Sequence, residues 1–248
     1  MTWVLRNLDL VVSLLYAHLA LVLPALAATV LLSLPLARLA VGVRPLRALL
    51  VGAASLLYAV PSLALFVILP SLIGTTIRSD LNVVVALSLY GLALLVPAAT
   101  EAFAAVDRQV LDAARAQGMT GPQRFLGVEL PLAGPALLAA LRVVTVSTVS
   151  LVTVGGVLGV RSLGLLLTDG FQKEGAVAEV ATGVVVTMLV ALVLDQVLLV
   201  LGRILMPWTR GRHPGARSGG TRRRLRIGHR LRLGRRLRLG RRAERRGA

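Results

Sequence analysis

Five stretches of this 248-residue chain are apolar for long enough to cross a lipid bilayer, and nothing else in it constrains the fold as strongly. A hydrocarbon core about 30 Å thick takes about 20 mostly apolar residues as a helix. Residues 10–34, 47–70, 81–99, 136–158 and 178–202 each meet that length. The chain is 56% hydrophobic and only 16% charged, whereas a soluble domain uses about 25% charged residues to cover its surface. These observations predict an all-α, polytopic membrane fold with about five transmembrane helices, and they exclude a soluble enzyme or soluble binding domain.

The formal charge of +17 is concentrated in one place. From Arg203 onward there are 17 arginines against one acid, Glu244, so residues 1–202 are almost neutral. Two parts follow: a membrane domain over residues 1–208 and an arginine-rich tail over 209–248. Basic loop residues mark the cytoplasmic face of a membrane protein. Arg38, Arg44 and Arg47 fall between the first two spans, and Arg108, Arg115 and Arg124 between the third and fourth. With five spans these loops and the tail share one side, so the N-terminus is expected outside and the tail in the cytoplasm. On the opposite side Arg6, Arg78, Arg161 and Lys173 are matched by Asp9, Asp80, Asp169 and Glu174.

The inventory for catalysis is nearly empty. There are no cysteines, one lysine (Lys173, followed by Glu174) and three histidines, His18, His213 and His229. A phosphate-cradling loop needs Gly-Lys-Ser/Thr at its end, so this chain holds no such ATP site. Neither HExxH nor GxSxG occurs. No catalytic residue, metal site or cofactor is expected.

Several spans contain helix breakers: Pro24, Pro61, and Gly155-Gly156 with Gly159. Freed backbone groups in lipid must find partners in neighbouring helices or a watery cavity. Pro24 reads as a simple kink. Pro61 and the glycine cluster read equally as kinks or as hinges lining a path.

The segment 100–134 is the most informative. Asp107 can cap a helix from Arg108 to Gln117, which Gly118 ends in the left-handed conformation. Gly121-Pro122 restarts a short helix with proline at its first position, and Pro131 is expected to stop it. Two short helices joined directly to membrane spans suit the transmission of a push from a cytoplasmic partner.

Here the spacing becomes specific. Asp112-Ala113-Ala114, three residues, Gly118, nine residues, then Val128-Glu129-Leu130-Pro131 resembles the EAA loop of importer permeases of the ATP-binding-cassette class. Asp112 replaces the usual Glu and Val128 the usual Ile. Val60-Pro61-Ser62-Leu63-Ala64-Leu65, Gly118-Met119-Thr120, Val128 to Ala133 and Met206-Pro207-Trp208-Thr209-Arg210 resemble the osmoprotectant branch, importers of glycine betaine, choline and carnitine. Thr100-Glu101 stands where an Arg-Asn pair is expected of that branch, and the glycine-rich stretch from Gly155 to Gly164 is looser than its counterpart.

The resemblance implies the transmembrane domain of a type I importer. Its partners would be a separate ATPase subunit holding ATP and Mg, an extracytoplasmic substrate-binding protein, a second permease copy or relative, and membrane lipids. No nucleic acid is expected. It implies ATPase docking through Asp112, Ala113, Ala114, Gly118, Met119, Val128, Leu130 and Pro131. Another cargo of the same class, such as methionine, stays open, as does a non-transporting scaffold with a lipid- or nucleic-acid-binding tail.

Candidates for a translocation path are Pro61, Ser62, Thr145, Thr148 and Asp195. A carboxylate at membrane depth is costly and marks function or pairing; Asp195 reads first as paired, with an arginine. The series Thr145, Ser147, Thr148, Ser150 and Thr153 reads as a polar stripe or as small residues for close packing. No aromatic cluster for a quaternary ammonium is visible among the nine scattered aromatics. The tail repeats Leu-Arg-Leu-Gly-Arg-Arg with glycine every six residues, which opposes a stable helix, and reads as a disordered extension that can be drawn to anionic lipid.

Overall fold

The structure is a computed structural model and describes Trp3, residues 6–172 and residues 177–211. It comprises two units, Met1–Met206 and Pro207–Ala248. In the second, a single 3-10 turn, Pro207–Gly211, is described. The arginine-rich repeats lie outside the described residues.

Among its described residues, the first unit is built of helices and short connections, with no strand. Its elements are α1 (Leu8–Gly42), α2 (Arg44–Ala59), α3 (Ser62–Ile73), α4 (Asp80–Ala104), α5 (Arg108–Ala116), α6 (Gly121–Arg124), a π turn (Phe125–Glu129), α7 (Leu130–Gly155), α8 (Gly164–Gln172) and α9 (Val177–Leu205). Four helical stretches are long and apolar enough to span, and the bent pair α2–α3 makes a fifth when counted as one span.

The second span departs from expectation. Instead of one helix over 47–70, α2 and α3 meet at an angle of 110°. Val60 is extended (ψ 129°) because a residue before proline is pushed out of the α region, and Pro61 (ψ 132°) starts a new helix. The freed Val60 carbonyl accepts a hydrogen bond from the Tyr90 hydroxyl on α4, which meets the demand that buried backbone groups be satisfied.

The first span also differs. α1 runs unbroken past Pro24 and Pro35 for 35 residues, roughly 52 Å at 1.5 Å per residue. It therefore extends beyond the bilayer core and carries Arg38 with it. The expected 38–47 loop contracts to one extended residue, Val43.

α4 is the centre of the bundle: 61% of its most apolar stretch is buried, against 6% for α9. α1 and α7 flank it. Between apolar helices in lipid, association rests on close packing rather than on water exclusion. Small side chains meet there accordingly, including Ala25, Ala86, Ala99, Ala102 and Ala133. Thr29 and Ser88 return their hydroxyls to their own helices, at Ala25 O (2.8 Å) and Val84 O (2.7 Å). α9 lies at the edge and presents Val185, Leu189, Val193 and Val200 outward, an apolar face that suits lipid.

The glycine cluster forms a tight turn. Gly156 and Gly164 pack backbone to backbone: a Cβ on Gly156 would lie 2.4 Å from the Gly164 carbonyl carbon, and one on Gly164 would lie 2.2 Å from the Thr153 oxygen. These glycines serve close approach.

Candidate functional site

The 105–131 segment builds its shape from local chemistry. The Asp107 side chain accepts the Gln109 N–H at 2.9 Å, capping α5 as an Asx residue does. At the other end the Gly118 N–H donates to Arg115 O (2.9 Å) and the Met119 N–H to Ala114 O (3.2 Å). That bond pattern, with glycine left-handed at φ 79°, is a Schellman motif. The spacing of Ala114, Gly118 and Met119 is therefore the spacing of a helix stop. Ala114 is buried beneath it, and Asp112 pairs with Arg115 at 2.9 Å on the exposed face. Ala113 is exposed.

Thr120 then starts α6 through a capping box, its N–H donating to Gln123 Oε1 at 2.9 Å. Pro122 occupies the second helical position rather than the expected first, since α6 begins at Gly121. Pro131 does not stop this helix. The chain widens into the π turn, Leu130 N–H donates to Phe125 O, and α7 follows with Pro131 in its first turn. Proline has no N–H to lose, and placing it where the wide turn hands over to α geometry breaks no ladder bond. A single helical stretch thus runs from Gly121 to Leu158. Val128 and Leu130 are half-buried along it. Leu111, Phe125 and Leu130 pack on the cluster of Ala37, Ala99, Phe103 and Leu137. Phe103 and Phe125 meet with ring centroids 5.6 Å apart.

Sequence reasoning passed over Glu129. It is 5% exposed and joins two arginines: Arg38 Nε lies 2.6 Å from Oε2, while Arg38 Nη2 and Arg124 Nε each donate to Oε1 at 3.1 Å. The available signal was a carboxylate inside the motif itself, five residues after Arg124.

Deeper in the bundle, two adjoining cavities of about 570 and 410 Å³ open on one face. Tyr58, Ser62, Tyr90 and Ser150 line the larger; Arg142 and Asp195 line the smaller; Val146 and Ser147 line both. Of the predicted path residues, Ser62 and Asp195 are on this face, and Pro61 makes the bend beside it. Thr145 and Thr148 are buried, donating to Leu141 O and Val144 O at 2.8 Å. The serines of that series, at 147 and 150, face the cavities instead.

Asp195 is paired. Arg142 Nε and Nη2 donate to Oδ1 and Oδ2 at 2.6 and 2.8 Å, the forked geometry in which arginine binds carboxylate best. Arg142 thus turns to α9. His18 is fully buried beside Val149.

Comparison with known proteins agrees with this geometry. Residues 29–211 match the family described as binding-protein-dependent transport system inner membrane component. The osmoprotectant import permease protein OsmW of Salmonella typhimurium is 34% identical over 208 residues, covering 83% of this chain and 96% of the relative. The glycine betaine/carnitine/choline transport system permease protein OpuCD of Bacillus subtilis is 26% identical, covering 77% and 82%. Among solved structures, the inward-facing MetNI methionine ABC transporter superposes with a TM-score of 0.72 at 20% identity, covering 81% of this chain and 98% of that one; this is a likeness of fold. With its membrane helices, its pair of short helices between two spans and a match over most of its length, the chain belongs to the family of binding-protein-dependent transport system inner membrane components, the permease subunits of ABC importers.

Proposed function

We propose that this permease imports osmoprotectants of the glycine betaine and choline type, driven by a separate ATPase that docks on α5 and α6. The observation that carries the docking half is the 105–131 segment: a capped, exposed nine-residue helix, α5, followed after the Gly118 stop by α6, which runs through the π turn directly into a spanning helix. A push on α5 passes through α6 and the π turn to α7. In this reading Asp112, Ala113 and the Gly118-Met119 stop form the docking surface, and Val128, Leu130 and Pro131 form the lever.

The cargo half is supported by the names of the relatives. The path follows the face that holds the two cavities, with Ser62, Ser147 and Ser150 as hydroxyl contacts and Arg142–Asp195 as a neutralised pair at its side. A second copy or a relative closes that face, and an extracytoplasmic binding protein delivers the cargo. In this reading the N-terminus lies outside and the tail in the cytoplasm, the orientation that the arginines of the 105–131 segment and of the Arg44–Arg47 stretch favour. ATP and Mg belong to the partner.

The test is uptake of radiolabelled glycine betaine by cells lacking their own importers. They would express this chain with its cognate ATPase and binding protein, with and without Gly118→Pro. ATP-dependent uptake lost in the variant supports both halves. An assembled complex that ignores betaine, choline and carnitine but takes up methionine overturns the cargo.

A further inference from the structure

We propose that Glu129 is a positioning residue that locks the cytoplasmic end of α1 to the ATPase-docking segment, so that the two move as one body. This rests on the reading above that the 105–131 segment receives the ATPase's motion.

The segment is joined by the chain itself to only two spans, α4 before it and α7 after it. α1 has no such link, yet it packs along the length of α4 and against α7, and its long helix reaches the cytoplasmic level of the loop. Besides the apolar packing of Leu111, Phe125 and Leu130 on the cluster that holds Ala37, α1 is tied there by Arg38, whose guanidinium holds both carboxylate oxygens of Glu129, at 2.6 and 3.1 Å. Arg124, the last residue of α6, holds the same carboxylate from the other side at 3.1 Å. One anion thus connects α1, α6 and the π turn.

The place of the tie matters. π turns interrupt the α-helical ladder and recur at functional sites, so helix stiffness alone does not fix the angle between α6 and α7. An external restraint does, and a forked arginine–carboxylate pair restrains orientation as well as distance. The burial of this anion separates it from the other charged contacts nearby. The side chains of Glu129, Arg124 and Arg38 are 6%, 14% and 31% exposed, against 40% and 70% for Arg47 and Glu101 and 60% and 66% for Arg115 and Asp112. Exposed pairs contribute little, whereas a buried carboxylate depends on its partners.

Arg38→Gln is the discriminating variant, because it cuts the tie to α1 and leaves the Arg124–Glu129 pair intact. The chain has no cysteine, so spin labels at Leu32→Cys and Leu126→Cys, both exposed leucines, report α1 against the π turn. The full complex with its ATPase, one copy labelled, is measured in nanodiscs with and without ATP. The expected result is one narrow distance in the otherwise native protein, unchanged by ATP, and a broadened distance that shifts with ATP in Arg38→Gln. Glycine betaine imported per ATP falls about tenfold while ATP hydrolysis continues, since what is lost is coupling between sites. The reversed set Arg38→Glu, Arg124→Glu, Glu129→Arg restores the narrow distance. A narrow, ATP-independent distance in Arg38→Gln overturns the proposal. Should that variant not assemble, Arg38→Lys, which keeps charge and loses the fork, is read in the same way. Retention of the ATPase by Gly118→Pro counts against the docking reading instead, so the two failures are distinguishable.

Discussion

Tyr90 donates its hydroxyl to the carbonyl of Val60 at the point where the second span breaks. The bond runs from the most buried helix to a backbone carbonyl at the Pro61 bend, beside the larger cavity. Tyr90 is 4% exposed. Tyr90→Phe keeps the ring and removes the donor. Leaving a buried acceptor unpaired costs about 1–3 kcal/mol. The expected outcome is a lower thermal midpoint of the purified permease complex, with a larger fractional loss of uptake than of assembly. An unchanged midpoint would mean that the bend does not depend on this bond.

Gly118 supplies a second prediction. At φ 79° an L side chain costs about 1–2 kcal/mol, and nothing stands within 4 Å of a Cβ added there. Gly118→Ala therefore strains the backbone without a clash. It should weaken ATPase association by about 5–30-fold, the factor that one or two kcal/mol produces, while the spans fold normally. Titration of the ATPase onto reconstituted permease measures this. Equal affinity for both forms would remove the left-handed stop from the docking surface.

The spans were legible because a long apolar run in lipid has one economical conformation, and the EAA-like segment because its spacing is that of capped helices. What failed did so for local reasons. Pro131 reads as a helix stop only if the helix before it keeps α geometry; the π turn at Phe125–Glu129 removes that conflict and leaves no mark in hydropathy. The break at Val60-Pro61 was visible as a proline, but not its 110° angle or the partner its carbonyl finds in Tyr90, thirty residues later. α8 was missed because nine residues containing Asp169 and Gly170 are too short and too mixed to stand out. The tie of Glu129 to Arg38 spans 91 residues, and the cavity that collects Tyr58, Ser62, Tyr90 and Ser147 draws on three separate spans. Contacts of that range follow from packing and not from any local pattern.

Gly164→Ala and Gly52→Ala make a matched pair. A Cβ at 164 would lie 2.2 Å from the Thr153 backbone oxygen, whereas one at 52 meets nothing within 4 Å. Gly52 is interior to α2, where alanine is favoured over glycine by about 1 kcal/mol. Gly164→Ala should fail to accumulate as folded protein in the membrane, and Gly52→Ala should accumulate at least as well as the native chain. Size-exclusion profiles of detergent-extracted, fluorescently tagged protein measure both. A monodisperse Gly164→Ala at native yield would show that the turn around Gly156–Leu158 can open without harm.

The Arg142–Asp195 pair invites a charge-exchange experiment, because it joins α7 to α9 and also borders the smaller cavity. Asp195→Asn leaves a guanidinium without its carboxylate at membrane depth, where an unpaired charge is expensive. Folded yield should fall, and Arg142→Asp with Asp195→Arg should recover it by rebuilding the fork with its ends exchanged. Uptake should not recover with it. The guanidinium is the more exposed partner, at 37% against 15% for the carboxylate, so the exchange changes which sign the cavity meets and from which helix. A cationic cargo such as choline is then expected to respond more than zwitterionic glycine betaine. Full recovery of both uptakes along with folding would make the pair a helix tie that cargo never meets. A stable Asp195→Asn protein would mean that the pair is not what holds α9 to the bundle, leaving that role to its packing on α7 and α8.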